Sequence, residues 1–347
     1  MDESKKKSRR KLPRHVRRVV SFGIVIFILE YWVIPEYSSA RKNQHLLSTV
    51  NPFLVILATV LEVAAIAAYA ELTRTVFAPH SPRRSEILRV NMATLALSHV
   101  VPGGTAPSGA LAYRMYNALG VPSATNAFGL AVQGSGSAVV LNIIFWIALV
   151  ISIPLRGFNP GYVGGALVGV FLMLAFFGTV ALLTRGQRHA DAWLRAFARR
   201  VPRLDPDRIS QILARVAERI TLLISNRRTL RASLEWAALN WLLDAACLWV
   251  FLYAFGYPIS PIDLIVAYGL ANILAAIPLT PGGLGVVEAT LTSAIVGFGV
   301  PHSQALLAVL AYRFLNFWLP IPLGGVAYLS MDWRPQKKRA PKKFPED

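Results

Sequence analysis

The chain contains the sequence PGGTAPSGALAYRMYNALGVP at residues 102–122 and, 179 positions later, PGGLGVVEATLTSAIVGFGVP at residues 281–301. The two stretches align without a gap and are identical at seven of their 21 positions. The same offset superposes the apolar segments that flank them. Because self-similarity at a fixed spacing indicates a repeated structural unit, the sequence predicts one unit at residues 52–155 and a second at residues 232–332.

Each unit has a long apolar segment, two short apolar segments separated by Pro-Gly-Gly, and a second long apolar segment. Proline lacks the backbone N–H donor and glycine destabilises a helix, so each Pro-Gly-Gly is expected to separate two short helices. Irregular backbone at membrane depth must be buried in protein or line a cavity, and broken helices at matching positions of two halves are typical of a transporter site. We therefore expect two re-entrant Pro-Gly-Gly hairpins.

The composition is that of a membrane protein, since 54% of the 347 residues are hydrophobic and 16% are charged, whereas a soluble domain has about 25% charged residues. The net charge of +18 comes mainly from Lys and Arg near the ends of apolar segments, which favours an anionic membrane surface over nucleic acid. With Cys247 as the single cysteine, an intramolecular disulfide and a cysteine metal cluster are excluded. The six histidines have no metal-ligand spacing, so no metal or cofactor is expected.

The distribution of Lys and Arg predicts the orientation of the chain. If each hairpin enters and leaves on one side, thirty of these residues lie on one face of the membrane, while Arg41, Lys42 and Arg156 lie on the other. Short cytoplasmic loops collect Lys and Arg, so both termini are predicted to be cytoplasmic and the second unit to be inverted relative to the first. The predicted fold is an all-α polytopic protein of the cell (inner) membrane, with two inverted repeats, six spanning helices and two hairpins.

The segments outside the two repeats are predicted from charge and hydropathy. They are a basic cytoplasmic tail, a first membrane helix, an inverting helix, a basic amphipathic cytoplasmic segment and a basic C-terminal tail, at residues 1–18, 19–35, 162–184, 185–231 and 333–347. Apolar residues at helical spacing among the arginines of 185–231 predict two helices that lie on the anionic inner leaflet. The alternative for that segment is a solvated linker between the repeats.

Five ionisable residues within the apolar segments are candidate site residues, because a charge at membrane depth is costly unless it is paired or hydrated. Glu62, Asp244 and Arg313 are predicted near the midplane, and the 179 offset places Asp244 one helical turn from Glu62. Arg114, toward the cytoplasmic mouth, is expected to receive a lipid phosphate. Glu288, in the outer half of the second hairpin, is expected to meet a cationic head group or to titrate. The alternative is that these side chains form static ion pairs that fix the helix register.

The glycines of the two motifs are predicted to form the tips of the hairpins. The helix after each Pro-Gly-Gly presents free N–H groups and a partial positive charge to the membrane interior, which favours a bound phosphate. Two such ends near a pseudo-two-fold axis, with Arg313 close by, predict an anion site at mid-depth. Its backbone part comprises Gly103, Gly104, Gly282 and Gly283.

The paired motifs resemble a known family. The similarity is to the transmembrane region of lysylphosphatidylglycerol synthase/flippase proteins and their stand-alone flippase-like relatives, over about residues 15–332. It is carried by Val101-Pro102-Gly103-Gly104 through Tyr113-Arg114, by the stretch from Thr280 to Ala289, and by Arg313-Phe314 with Trp318-Leu319-Pro320. The resemblance implies an inner-membrane protein that handles lipids, since in bifunctional members this region moves aminoacylated phosphatidylglycerol to the outer leaflet. It also implies that Arg114, Glu288 and Arg313 are family-typical positions.

Two departures from the family pattern bear on the expected activity. Only 16 residues follow Met331, where bifunctional members carry an aminoacyl-transfer domain, so this chain alone is not expected to synthesise lysyl-lipid. Many relatives have Glu-Arg where this chain has Gln133-Gly134, so its polar pairing at that position is expected to differ.

The expected function is translocation of an anionic phospholipid, an aminoacyl-phospholipid or a polyprenyl-phosphate-linked lipid between leaflets. The alternative is a membrane-embedded subunit or accessory of a glycosyl or aminoacyl transferase, although the sequence has no readable donor-binding or catalytic motif. A third hypothesis is a scaffold that docks partners through residues 186–231. The expected partners are membrane lipids and a lipid-modifying enzyme; nucleic acid is not expected, and a homo-oligomer is left open.

Overall fold

The structure is a computed structural model that describes residues 51–101, 103–156, 226–275 and 280–331, with scattered positions between 167 and 178. All regular secondary structure in this part of the chain is helical. The all-α class predicted from the sequence is therefore confirmed for the described residues.

The predicted tails, the first membrane helix and most of the inverting helix and the basic cytoplasmic segment lie outside the described residues. The described part corresponds to the two predicted repeats. Each repeat is a series of helices, and similar residues lie at the ends of equivalent helices in the two repeats.

The first repeat contains five helices and one π-helical turn. They are α1 (Pro52–Phe77), α2 (Arg84–Val100), α3 (Thr105–Ala118), α4 (Ser123–Ala131), the π turn Val132–Gly136, and α5 (Ser137–Arg156).

The second repeat has the same order with one additional short turn. Its elements are α6 (Arg227–Ala254), α7 (Pro261–Ala275), the 3₁₀ turn Pro281–Gly283, α8 (Val286–Gly297), α9 (His302–Arg313), the π turn Phe314–Trp318, and α10 (Pro320–Leu329).

Local sequence signals set the ends of these helices. Asn51 caps α1 by accepting the N–H of Phe53 at 3.0 Å, and Asn226 caps α6. The chain leaves α3 through Gly120 with a φ of 91° and leaves α8 through Gly299 with a φ of 96°. Glycine occupies this left-handed region without the penalty that other residues have, so it ends both helices at equivalent positions.

Both Pro-Gly-Gly motifs interrupt a pair of short helices. The first interruption separates α2 from α3, with Gly103 at a φ of 64°, and the second separates α7 from α8, with Gly282 at 54°. A side chain at Gly104 would overlap the backbone of Ser98 and Val101. The backbone at Gly104 therefore packs directly against the backbone at the end of α2. We call these two places the first and second breaks.

Four described helical segments are long and apolar enough to cross a membrane: Pro52–Phe77, Ser123–Pro154, Arg227–Ala254 and His302–Leu329. The outer faces of these helices carry large apolar side chains, such as Phe53 with 78% of its surface exposed, Val63 and Val326. Apolar surface of this extent is rare on soluble monomers, so it indicates a lipid-facing exterior.

The helices of the two repeats pack against one another in reciprocal pairs. α1 lies along α6, its equivalent in the other repeat, and small buried residues such as Ala58 and Ala65 allow a close approach. The Nδ2 atom of Asn240 on α6 donates to the carbonyl oxygen of Ala65 at 3.0 Å. α2 packs against α10, and its equivalent α7 packs against α5, the equivalent of α10. Each repeat therefore completes the core of the other.

Glycine at two of these contacts leaves no room for a side chain. Gly269 on α7 faces the ring of Phe145 on α5, and Gly324 on α10 faces the Met92 carbonyl and Ala96 on α2. Its neighbour Gly325 is exposed and has no described atom near the position that a side chain would take. The contact between α2 and α10 therefore depends on Gly324.

We predict that Gly324→Ala destabilises the protein and Gly325→Ala does not. The added methyl group at residue 324 meets backbone that cannot move aside, and overpacking of this kind costs about 1–3 kcal/mol. At residue 325 the same change removes a helix-destabilising glycine, which is expected to stabilise the protein by roughly 0.5–1 kcal/mol. The measurement is the thermal unfolding midpoint of both variants in detergent, and equal shifts would contradict the described packing.

Candidate functional site

A buried ion pair lies at the second break. Arg313, the last residue of α9, is 5% exposed, and its Nε atom lies 2.6 Å from Oε1 of Glu288 in the first turn of α8. Its Nη2 atom also donates to the carbonyl oxygen of Gly282, 3.3 Å away. The guanidinium group therefore holds both the irregular backbone of the break and the helix that follows it.

The second carboxylate oxygen of Glu288 caps this helix. Oε2 accepts the backbone N–H of Gly285 at 2.7 Å, directly before α8 begins. A negative charge at this end of a helix is favourable, because the first N–H groups have no intrahelical partner. Glu288 therefore has two partners at once: the backbone N–H before α8 and the guanidinium group of Arg313.

An aromatic stack connects the second break to the first. The guanidinium carbon of Arg313 lies 4.4 Å from the ring centroid of Phe317, and the His99 ring stacks on the same phenyl ring with centroids 4.3 Å apart. The Nδ1 atom of His99 lies 3.1 Å from the carbonyl oxygen of Phe317 and must donate, because a carbonyl can only accept. His99 is near the end of α2, just before the first break. We call Arg313, Glu288, Gly282, Phe317 and His99 the ion-pair cluster.

A second group of polar residues surrounds two carboxylates between α1 and α6. The Nδ2 atom of Asn316 donates to Oδ1 of Asp244 at 3.0 Å and to Oε1 of Glu62 at 3.3 Å. Asp244 Oδ2 accepts the hydroxyl groups of Tyr268 and Tyr312. We call these five residues the carboxyl cluster. Its members come from α1, α6, α7, α9 and the second π turn.

The second π turn connects the two clusters. Tyr312 and Asn316 face the carboxyl cluster, while Arg313 and Phe317 belong to the ion-pair cluster. A π turn inserts one extra residue into a helical turn, and such turns occur frequently at functional sites. In this protein the turn carries one member of each cluster, Asn316 and Phe317.

The sequence-predicted site residues fall into three locations. Arg313, Glu288 and Gly282 meet in the ion-pair cluster, with Gly283 buried beside them, and Glu62 meets Asp244 in the carboxyl cluster. Gly103 and Gly104 shape the first break. Arg114 is exposed on α3 and has no hydrogen-bond or ion-pair partner among the described residues. The bond from Arg313 to the Gly282 carbonyl places this arginine at the second break.

Three residues of the two clusters, Tyr268, Tyr312 and Phe317, were not predictable as site residues from the sequence. Their spacing is typical of buried apolar helix positions, and their partners Asp244 and His99 lie at least 24 positions away in the chain. The polar character of Asn316 was the one readable signal, since a buried amide needs hydrogen-bond partners.

The first repeat contains a polar cluster without charge. Gln133, in the first π turn, donates to Thr73 at 2.6 Å and to Asn91 at 3.3 Å, and the hydroxyl of Tyr116 donates to Asn91 at 2.8 Å. The 179 offset places Tyr312 on Gln133. The same position of each repeat therefore enters a buried polar cluster, but the cluster around Tyr312 contains two carboxyl groups, Asp244 and Glu62. Among the described residues, no three His, Cys, Asp or Glu side chains are placed to hold a metal ion.

The similarity of this chain to known proteins extends over both repeats. A family model described as the lysylphosphatidylglycerol synthase TM region matches residues 19–324. A UPF0104 membrane protein of Methanothermobacter thermautotrophicus is 25% identical over 292 residues, which cover 80% of this chain and 85% of that protein. The inner membrane protein YbhN of Escherichia coli is 27% identical over 104 residues, which cover 30% of this chain and 32% of that protein. The family match includes every residue of the two clusters.

We predict that the Arg313–Glu288 pair is strongly coupled in stability. A double-mutant cycle with Arg313→Met and Glu288→Gln is expected to give a coupling energy of about 1–3 kcal/mol, because either single change leaves a buried charge unpaired. Glutamine keeps an oxygen that can cap α8, so the cycle isolates the charge.

The exposed pair Arg231–Glu235 is the matched control, since its side chains are 82% and 60% exposed at a similar distance, 2.7 Å. The same cycle there is expected to give a much smaller coupling energy, because water screens an exposed ion pair. Chemical unfolding in mixed micelles measures both cycles, and equal coupling energies would show that the buried pair has no special role.

Proposed function

The chain is a membrane protein that belongs to the family of the lysylphosphatidylglycerol synthase TM region, and on this premise we propose that it moves an anionic lipid between the two leaflets of the cell membrane. The substrate class is a phospholipid, an aminoacyl-phospholipid or a polyprenyl-phosphate-linked lipid. These lipids share a phosphate next to an apolar tail.

The observation that carries the proposal is the buried guanidinium group at a break between helices. Arginine binds phosphate with directed N–H donors, and such charge-assisted bonds are stronger than neutral ones. The described contacts of Arg313 use Nε and Nη2, which leaves Nη1 available to another acceptor. A lipid phosphate that replaces the carboxylate of Glu288 on Arg313 conserves the charge balance of the site. Glu288 would then serve as the internal substitute for phosphate when no lipid is bound.

The repeated architecture supports a transport pathway through the middle of the protein. Equivalent helices with equivalent left-handed glycines, and the reciprocal contacts of α2 with α10 and of α7 with α5, are the pattern expected for two units related by a two-fold axis. We propose that the units are inverted repeats, that each break is the tip of a re-entrant hairpin, and that the protein crosses the membrane six times with cytoplasmic termini. In many transporters, broken helices of inverted repeats form the site at the midplane.

We propose that the head group enters near Arg114 and crosses at the second break. Arg114 is exposed on α3, which follows the first break, so its side chain is open to lipid. The head group then passes Arg313 and leaves past Glu288, while the acyl or prenyl tails stay in the bilayer. The Escherichia coli relative is named an inner membrane protein, which supports placement of this pathway in the cytoplasmic membrane.

We predict that Arg313→Gln slows lipid movement in liposomes. The purified protein is reconstituted with fluorescent anionic lipids, and a membrane-impermeant quencher reports the fraction in the outer leaflet. Loss of a charge-assisted contact with phosphate removes about 1.5–3 kcal/mol, which corresponds to a rate reduced roughly tenfold to a hundredfold. Glu288→Gln is expected to slow movement as well, because it leaves the charge of Arg313 unbalanced.

The controls are Arg231→Gln and Glu235→Gln, which remove exposed charges from the end of α6. Both are expected to retain the wild-type rate. Wild-type rates in Arg313→Gln and Glu288→Gln would remove the proposed site, and absence of protein-dependent movement for every lipid tested would contradict the proposed function.

We predict a smaller effect at Arg114. Arg114→Gln is expected to weaken the apparent affinity for anionic lipid about fivefold, since one cationic side chain near an anionic lipid is worth about 1 kcal/mol. Arg114→Lys keeps the charge and is expected to behave like the wild type. Lipid titration of the transport rate measures this effect, and the unfolding midpoint is expected to be unchanged because the side chain has no described partner. Equal affinity in all three proteins would contradict the proposed entry site.

A further inference from the structure

The two carboxylates of the carboxyl cluster have different surroundings. Asp244 accepts three hydrogen bonds, from the hydroxyl groups of Tyr268 and Tyr312 and from the amide of Asn316. These donors replace the water molecules that would otherwise hydrate its charge. These three bonds offset part of the cost of burying its charge.

Glu62 lacks such donors. It is 6% exposed, and Oε1 shares the Asn316 amide with Asp244 at the longer distance of 3.3 Å. Oε2 is buried and has no hydrogen-bond partner in the described part of the chain. An unpaired oxygen of a buried carboxylate is costly, whereas a protonated carboxyl group becomes a donor.

The groups around Glu62 define a closed, mainly acidic environment. The titratable and charged residues that face it or its partner are Asp244 and Cys247 from α6, Tyr268 from α7, and Tyr312 and Arg313 from α9. The Arg313 guanidinium is engaged by Glu288. The positive charge that would neutralise a second carboxylate is therefore already paired elsewhere.

We propose that Glu62, paired with Asp244, is a proton-binding site that couples proton movement to lipid movement. In the transport cycle, an O–H bond forms at Glu62 when a proton arrives from water on one side, and that bond breaks when the proton leaves on the other side. A lipid with one negative charge that crosses with one proton transfers no net charge. This inference rests on the proposed lipid translocation and adds its driving ion.

The second π turn provides the mechanical connection. Tyr312 and Asn316 contact Asp244, and the neighbouring Arg313 and Phe317 form the site proposed for the head group. Replacement of Glu288 by a lipid phosphate would shift Arg313, and the same turn carries Asn316, which bridges the two carboxyl groups. Protonation of Glu62 weakens that bridge, because a neutral carboxyl group is a poorer acceptor than a carboxylate. Binding at either cluster therefore alters the other.

The first experiment uses wild-type protein in liposomes with a pH difference across the membrane and the electrical potential held at zero. With one proton per lipid, a difference of one pH unit supports an up to about tenfold asymmetry of the labelled anionic lipid between leaflets. The asymmetry is expected to disappear with a protonophore. Lipid that equilibrates between leaflets but ignores the gradient would overturn this inference and leave the proposed function intact; lipid that never moves would contradict the proposed function itself. Asymmetry driven by a sodium gradient instead would also overturn it.

Variants locate the proton site. Glu62→Gln is expected to lose the pH-driven asymmetry, Glu62→Asp to retain part of it, and the exposed control Glu235→Gln to retain all of it. Full asymmetry in Glu62→Gln would overturn the assignment.

A measurement on the wild-type protein does not depend on how a variant folds. Dicyclohexylcarbodiimide reacts with protonated carboxyl groups in apolar surroundings, and mass spectrometry locates the adduct. Labelling is expected at Glu62, to decrease as the pH rises, and to be absent from Asp244. Labelling of Asp244 in preference to Glu62, or none at either residue, would contradict the proposed site.

Discussion

A helix that ends inside a protein core exposes carbonyl and amide groups that need partners, and in this protein one ion pair supplies them. Arg313 donates to the carbonyl of Gly282, and Glu288 accepts the N–H of Gly285. Each of these side chains would be a costly buried charge alone, so each requires the other. The interaction that permits the second break therefore also creates the buried charge on which the proposed function depends.

The two repeats use one backbone plan for different chemistry. In the first, Gln133 joins Thr73, Asn91 and Tyr116 in a neutral network whose described bonds satisfy one another. In the second, Tyr312 occupies the equivalent position and faces Asp244. A neutral, well-satisfied network rigidifies a structure, whereas buried charges respond to ions and ligands. This division assigns a supporting role to the neutral network and the proposed ligand and proton sites to the two charged clusters, to which the first repeat contributes Glu62 and His99.

The sequence predicted the features that depend on local chemistry or on internal similarity. Repetition of Pro-Gly-Gly located both breaks, and the 179 offset predicted that Glu62 and Asp244 lie at nearly equivalent levels. The sequence did not predict the stack of His99 on Phe317, because these residues are separated by more than 200 positions and no local pattern connects them. The sequence also did not predict the π turn at Phe314–Trp318. Ordinary helical spacing already pairs Tyr312 with Asn316, four positions later. It pairs Arg313 with Phe317 in the same way, so the two clusters lie on adjacent faces of this segment.

The central claim, that an anionic lipid head group passes through the second break, is tested most directly by photo-crosslinking. A phospholipid with a photoreactive head group is incorporated into nanodiscs with the purified protein, and the adducts are mapped by mass spectrometry. The account predicts adducts on the residues around Arg313 and Gly282, which decrease when unlabelled anionic lipid competes. Adducts confined to exposed residues at the helix ends, with none at the second break, would contradict it.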